Sequence, residues 1–193
     1  MVFDGTYLWT ANFNANSVTR VNPATGAGST FPLPSGATQP FANAFDGTNL
    51  WTANGGSNSV TKFAPSTGAG INYALPSGAL NPRGIVFDGT SLWTANNSSN
   101  NVTKINPATG AGTNYALPSG ATAPGGIAFD GTNIWTANFL SANVTRIAPV
   151  TGAGTNFALP VGAARPYGIA FDGTNVWTAN RETGNVTVIV PTR

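Results

Sequence analysis

Short runs that alternate apolar with polar positions recur along the whole chain, separated by clusters of Gly, Pro, Asn and Ser. In the stretch 83–124 this pattern predicts four strands. The first is Gly84-Ile85-Val86-Phe87, closed by Asp88-Gly89-Thr90. Asp-Gly is a favoured tight-turn pair because Gly takes a positive φ without a Cβ clash. The second strand is Ser91 to Asn96 and the third Asn101 to Ile105, with a polar loop, Asn97 to Asn100, between them. Pro107 to Gly112 makes the next turn, Thr113 to Leu117 the fourth strand, and Pro118-Ser119-Gly120 leads onward. The strands are rich in β-branched and aromatic residues, and no helical period lasts long enough to compete.

The same pattern returns every 42 residues. Phe-Asp-Gly-Thr begins at Phe3, Phe45, Phe87, Phe129 and Phe171, and Trp-Thr-Ala-Asn at Trp9, Trp51, Trp93, Trp135 and Trp177. Between 87–128 and 129–170, 29 of 42 positions are identical. Four short strands in a unit of this length fit a β-propeller blade, whereas a leucine-rich repeat would need a Leu ladder and a β-helix a shorter coil. The expectation is an all-β β-propeller forming one domain over 1–193. In-register aromatics, the Phe of strand one, the Trp of strand two and the Phe or Tyr of strand four, should fill the space between blades.

Five full units would need 17 residues more than the 193 present, and the shortfall falls on one fourth strand and its loop. The prediction is therefore four complete blades and a fifth that lacks its outer strand. That leaves an edge. Third strands of the first four units carry Arg20, Lys62, Lys104 or Arg146, but the last reads Asn185-Val186-Thr187-Val188-Ile189-Val190. An apolar edge strand without its charge is a template for pairing. Val186, Val188 and Val190 are thus a candidate interchain edge for self-association, set against simple drift at a terminus.

Composition narrows the chemistry. The chain has neither Cys nor His, which removes disulfides, thiol and imidazole nucleophiles and the common zinc and copper sites. Charged residues are 7% of the total and the net charge is +2, too weak for a nucleic-acid footprint. No apolar run approaches the roughly 18 to 20 residues of a membrane span. Met1-Val2-Phe3-Asp4-Gly5 has neither a basic nor an apolar region of the export type, so a soluble chain is expected. No cofactor or metal is expected.

The unit Pro-x-Gly-Ile-Ala-Phe-Asp-Gly-Thr-Asn-x-Trp-Thr-Ala-Asn, followed by Asn-x-Val-Thr-Arg and Pro-x-Thr-Gly, resembles the blade of streptogramin B lyases and related NHL-like and YncE-like propellers. The resemblance covers essentially the whole chain and implies the blade type. Lyases of this family have seven blades and depend on a catalytic His, a Glu and a magnesium ion. This chain has no His and Glu182 is its single Glu, so no catalytic residue carries over and a non-catalytic scaffold is expected. Near-identity of the units points to recent amplification of one blade, or to reconstruction or design from a blade consensus.

All five Asp residues lie in the Asp-Gly turn, where the carboxylate should accept hydrogen bonds from its own turn. The tryptophans are read as inter-blade core rather than as the stacking platforms of a carbohydrate-binding, lectin-like propeller. Asn12, Asn54, Asn96, Asn138 and Asn180 should satisfy loop backbone groups. Variation concentrates in the second-to-third and fourth-to-first loops, which emerge on one face of an up-and-down blade. There Phe13, Phe41, Phe139 and Tyr167 offer stacking surface, and Arg83, Arg165 and Arg181, with Glu182, make the face mildly basic. These eight residues are the candidate site for a small anionic or polyhydroxylated ligand or a protein partner. The alternatives kept open are a lectin and a degenerate lyase-like enzyme.

Overall fold

The computed structural model describes residues 1–190 and contains nineteen strands and no helix in that span. They form four antiparallel sheets of four strands and a fifth of three, each in sequence order. The sheets are β1–β4 (Val2–Phe3, Leu8–Asn12, Ser17–Val21, Gly28–Pro32) and β5–β8 (Pro40–Phe45, Leu50–Asn54, Ser59–Phe63, Gly70–Ala74). They continue with β9–β12 (Pro82–Phe87, Leu92–Asn96, Asn101–Ile105, Gly112–Ala116) and β13–β16 (Pro124–Phe129, Ile134–Asn138, Asn143–Ile147, Gly154–Ala158). The fifth sheet is β17–β19 (Pro166–Phe171, Val176–Asn180, Asn185–Ile189). This is the five-blade order the repeat predicts, with three strands in the last blade among the described residues. Inner strands start earlier than the pattern suggested, at the Pro of each fourth-to-first loop, and a bulge there separates Pro82 from Gly84 in the pairing with β10.

Each blade packs its front face on the rear face of the next. Trp51, Ala53 and Val60 of the second blade meet Ile85, Leu92 and Ile105 of the third, and Trp93 and Val102 meet Ile134 and Ile147 of the fourth. Trp9, Trp51, Trp93 and Trp135 are fully buried. Each lies against the aromatic residue of its own fourth strand, Phe31, Tyr73, Tyr115 or Phe157, at 5.5 to 5.9 Å between centroids. Burial of these rings at about 25 cal/mol per Å² is the main stabilising contribution between blades. The inner strands come close enough that a Cβ on Gly84 would sit 2.5 Å from the Gly125 carbonyl oxygen, and one on Gly126 2.5 Å from that of Tyr167.

Two polar devices repeat with the blades. In the first, a carboxylate such as Asp88 accepts from the amides of Thr90 and Ser91 through Oδ1 and from the Trp93 indole through Oδ2, at 2.7 to 2.8 Å. The turn Asp therefore holds both its own loop and the core Trp. In the second, Thr94 donates to Asn96 Oδ1, while Asn96 Nδ2 donates to Asn101 Oδ1 and Thr103 Oγ1. This corrects the expectation for the strand-two Asn: it is buried in the last four blades, and it satisfies neighbouring side chains rather than loop backbone.

Blades are also clamped by charge. Arg20 donates to the Pro65 carbonyl, Lys62 to that of Pro107 and Lys104 to that of Pro149, each reaching into the next blade at 2.9 to 3.0 Å. The terminal faces lack such cover. Trp177 is 38% exposed where its four counterparts are buried, and Phe3 is 52% exposed at the other end.

Candidate functional site

The second-to-third and fourth-to-first loops do share a face, because their residues touch. The Phe13 and Phe41 rings lie 4.7 Å apart, from the first blade to the loop entering the second. Arg83, entering the third blade, places its guanidinium 5.1 Å from the Phe41 centroid, and its Nε donates to Asn81 Oδ1 at 3.5 Å. Phe139 meets Tyr167 edge-on at 6.0 Å, and the Arg165 guanidinium lies 5.4 Å from the Phe139 ring. Arg165 Nε also forms an ion pair with Glu182 Oε2 at 3.0 Å. The eight candidate residues thus fall into two clusters. Phe13, Phe41 and Arg83 span the first three blades; Phe139, Arg165, Tyr167 and Glu182 span the last two, with exposed Arg181 beside them.

The backbone beneath these side chains is uniform. The first amide of each second-to-third loop donates to the fourth-to-first loop of its own blade: Gly55 to Gln39, Asn97 to Asn81, Phe139 to Ala123 and Arg181 to Arg165. Successive blades are tied as well, since Asn16, Asn58 and Asn100 accept through Oδ1 from the amides of Gln39, Asn81 and Ala123 at 2.7 to 2.8 Å. Gln39, Asn81, Ala123 and Arg165 all adopt φ of 53 to 56°. Non-glycine residues enter this region only where surroundings impose it. The loops therefore present different side chains on one pinned frame. Gly55 is small for a reason: the Phe41 ring would lie 2.5 Å from a Cβ there.

Charge divides between the two faces. The turn aspartates lie at the opposite end of the blades, beside the third-to-fourth turns that receive Arg20, Lys62 and Lys104. Burial pushes the carboxyls of Asp46 and Asp130 upward, but indole and turn amide donors outweigh it and hold both below the usual carboxylate range. On the loop face, Arg83, Arg165 and Arg181 meet one acid, Glu182, so this face carries an excess of positive charge.

Two large hollows lie at the fifth blade. One, of about 900 Å³, is lined by Asp130, Arg146 and Phe171 on the aspartate face. Its counterparts at earlier junctions measure about 320 and 250 Å³, filled by Pro65-Ser66 and Pro107-Ala108. It lies at the same inter-blade seam, between the fourth and fifth blades. The other, about 890 Å³, runs along Tyr167, Gly168, Ala179, Arg181, Asn185 and Val186 on the open front of the fifth blade. Sequence reasoning named Tyr167, Arg181 and Val186, which line this groove, but missed Gly168 and Ala179, whose counterparts Gly84 and Ala53 are covered by the next blade. Among the described residues no cluster of three metal-ligating side chains occurs.

No curated protein matches the sequence. Among solved structures, a streptogramin B lyase superposes with a TM-score of 0.80 at 23% identity, over 97% of this chain and 66% of its own. A virginiamycin B lyase from Staphylococcus aureus, a histidine-to-alanine form described as catalytically inactive and crystallised with quinupristin, gives 0.79 at 22%, over 95% and 66%. A chain of a nidogen/laminin complex gives 0.80 at 15%, over 96% and 72%. The chain thus spans about two thirds of the length of those lyases, and at such identities the likeness is one of fold. The model of the virginiamycin B lyase family matches residues 3–193, so the chain belongs to that family.

Proposed function

We propose that this chain is a non-catalytic propeller scaffold whose variable-loop face binds a small polar or anionic ligand. The observation that carries the proposal is the contrast between a loop backbone hydrogen-bonded alike from blade to blade and side chains that vary among the blades, as at Phe13, Gly55, Asn97, Phe139 and Arg181. A pinned frame keeps recognition groups in place before the ligand arrives, which lowers the ordering cost of binding. Aromatic rings backed by guanidinium groups supply stacking and bidentate hydrogen bonding, and the positive excess selects for anions.

Lyase activity finds less support. The lyase variant described as inactive differs by one histidine, and the 193 residues here contain none. The single Glu, Glu182, is engaged by Arg165 on the loop surface. A lectin built on Trp platforms finds little support either, because four of the five rings are fully buried.

The test is a calorimetric screen of carboxylates, phosphates and oligosaccharides, followed by the triple variant Arg83→Ala, Arg165→Ala, Tyr167→Ala. The expected result is a binder whose Kd rises on the order of 100-fold in the variant, while circular dichroism and melting stay within a few degrees. A binder indifferent to all three substitutions refutes the site. Magnesium-dependent turnover of a streptogramin by the purified chain refutes the non-catalytic assignment.

A further inference from the structure

The fifth blade departs from the others at one informative position. At the first three junctions the third-strand cation bonds a proline carbonyl of the next blade, and the equivalent residue in β19 is Val188. Valine cannot make that clamp. The front of this blade lacks that clamp, though it keeps the apolar groups that face a following blade elsewhere. Trp177, Val186 and Val188 are 38%, 67% and 45% exposed, and Val186 lines the 890 Å³ groove. The outer edge of β19 has no strand beside it among the described residues, whereas β3, β7, β11 and β15 each pair there with a fourth strand.

We propose that β19 pairs antiparallel with β19 of a second copy, about a twofold axis through Thr187. In that register Val186 stands opposite Val188 of the other copy, and the reverse. In the third blade the residue opposite Val102 is Tyr115, the ring that packs on Trp93. Val186 is the counterpart of Val102, so Val188 of the second copy takes the place of that ring against Trp177. The pairing is self-complementary, satisfies both unpaired edges and buries four valines and two tryptophans with no charge among them. A Lys or Arg at 188, as in every other blade, would place two cations in this seam, where desolvation opposes them. Docking the exposed Phe3 end of a second copy on this face would lack that cation clamp and, being heterologous, would give rings or open-ended chains rather than a self-complementary pair.

The proposal goes beyond the ligand reading and is tested without any ligand. Sedimentation equilibrium of the 193-residue chain should give a monomer–dimer equilibrium, and Val188→Lys should raise its Kd on the order of 100-fold. Lys104 occupies the same place in β11, so the variant should keep a native circular dichroism spectrum. Because the chain has no Cys, the register has its own readout. A mixture of Val186→Cys and Val188→Cys should cross-link on mild oxidation, since directly opposite Cβ atoms are close enough for a disulfide, while either variant alone should not. A monomer at all concentrations, open-ended polymers, or a dimer indifferent to Val188→Lys would overturn the proposal. Cross-linking of one variant with itself would overturn the register.

Discussion

Position 43 carries a polar side chain where the later blades carry Ile85, Ile127 and Ile169. Asn43 is 8% exposed, and neither its amide nitrogen nor its oxygen finds a partner. A buried amide without hydrogen bonds costs about 1 to 3 kcal/mol, and an apolar residue of similar size removes that cost. Asn43→Ile should therefore stabilise the protein by about 1 to 2 kcal/mol, read as a higher urea midpoint with an unchanged slope. Unchanged or lowered stability would show that the amide meets a partner in solution. Position 142 is a second misfit. Ala142 takes φ of 47° where Asn16, Asn58 and Asn100 stand in the first three loops. Alanine is strained there and cannot accept the inter-blade bond those asparagines make. Ala142→Asn should gain about 1 kcal/mol by restoring an acceptor for the Arg165 amide. Thermal melts of the two single variants and the double variant would show both gains and their additivity.

At the level of the blade, the turn carboxylate, its loop and the core Trp form one unit. Asp4, Asp46 and Asp130 are held below their ordinary value because indole and backbone donors outweigh the opposing effect of burial. Asp172 is lowered chiefly by the Asn175 amide, then by the Trp177 indole. A carboxyl with a depressed folded pKa contributes its full stability above the unfolded value, about 3.9, and loses it as pH falls through the folded one. Urea midpoints should thus hold level from neutral pH to about 5, then drop steadily below about 4. Asp130→Asn should flatten part of that drop and lower the neutral-pH midpoint; an acid limb unchanged by it would show that the carboxylate–indole bond contributes nothing. The strands themselves were legible because Asp-Gly and Pro-x-Thr-Gly punctuate each unit, and Asn101 to Ile105 in particular was bounded as observed. The Asn96 network was not, since the Asn101 and Thr103 side chains that it bonds lie five and seven positions away, across the hairpin. Loop variability marked the candidate face, but only coordinates show Phe41 pressed over Gly55 or Arg165 divided between Phe139 and Glu182.

For the whole molecule, five blades packed only on their neighbours behave as a one-dimensional array, in which stability is a sum of unit and interface contributions. The third blade has two complete interfaces. The fifth has one, no outer strand among the described residues and a half-exposed Trp177; the first has one and an inner strand of two residues. Amides in β17–β19 should exchange with deuterium at least about tenfold faster than those in β9–β11, with the first blade between them and the end most exposed. The measurement belongs in dilute protein, where blade-to-blade packing within one chain is the only source of protection. The same gradient should appear optically. Iodide should quench one fluorescent class selectively, and Trp177→Phe should abolish that class while leaving the four buried tryptophans untouched. Uniform exchange across all five blades would mean that the terminal faces are covered as the internal ones are. The exposed terminal faces would then be the wrong description of the molecule in solution, because covered ends require the first and fifth blades to meet or a partner to stand between them.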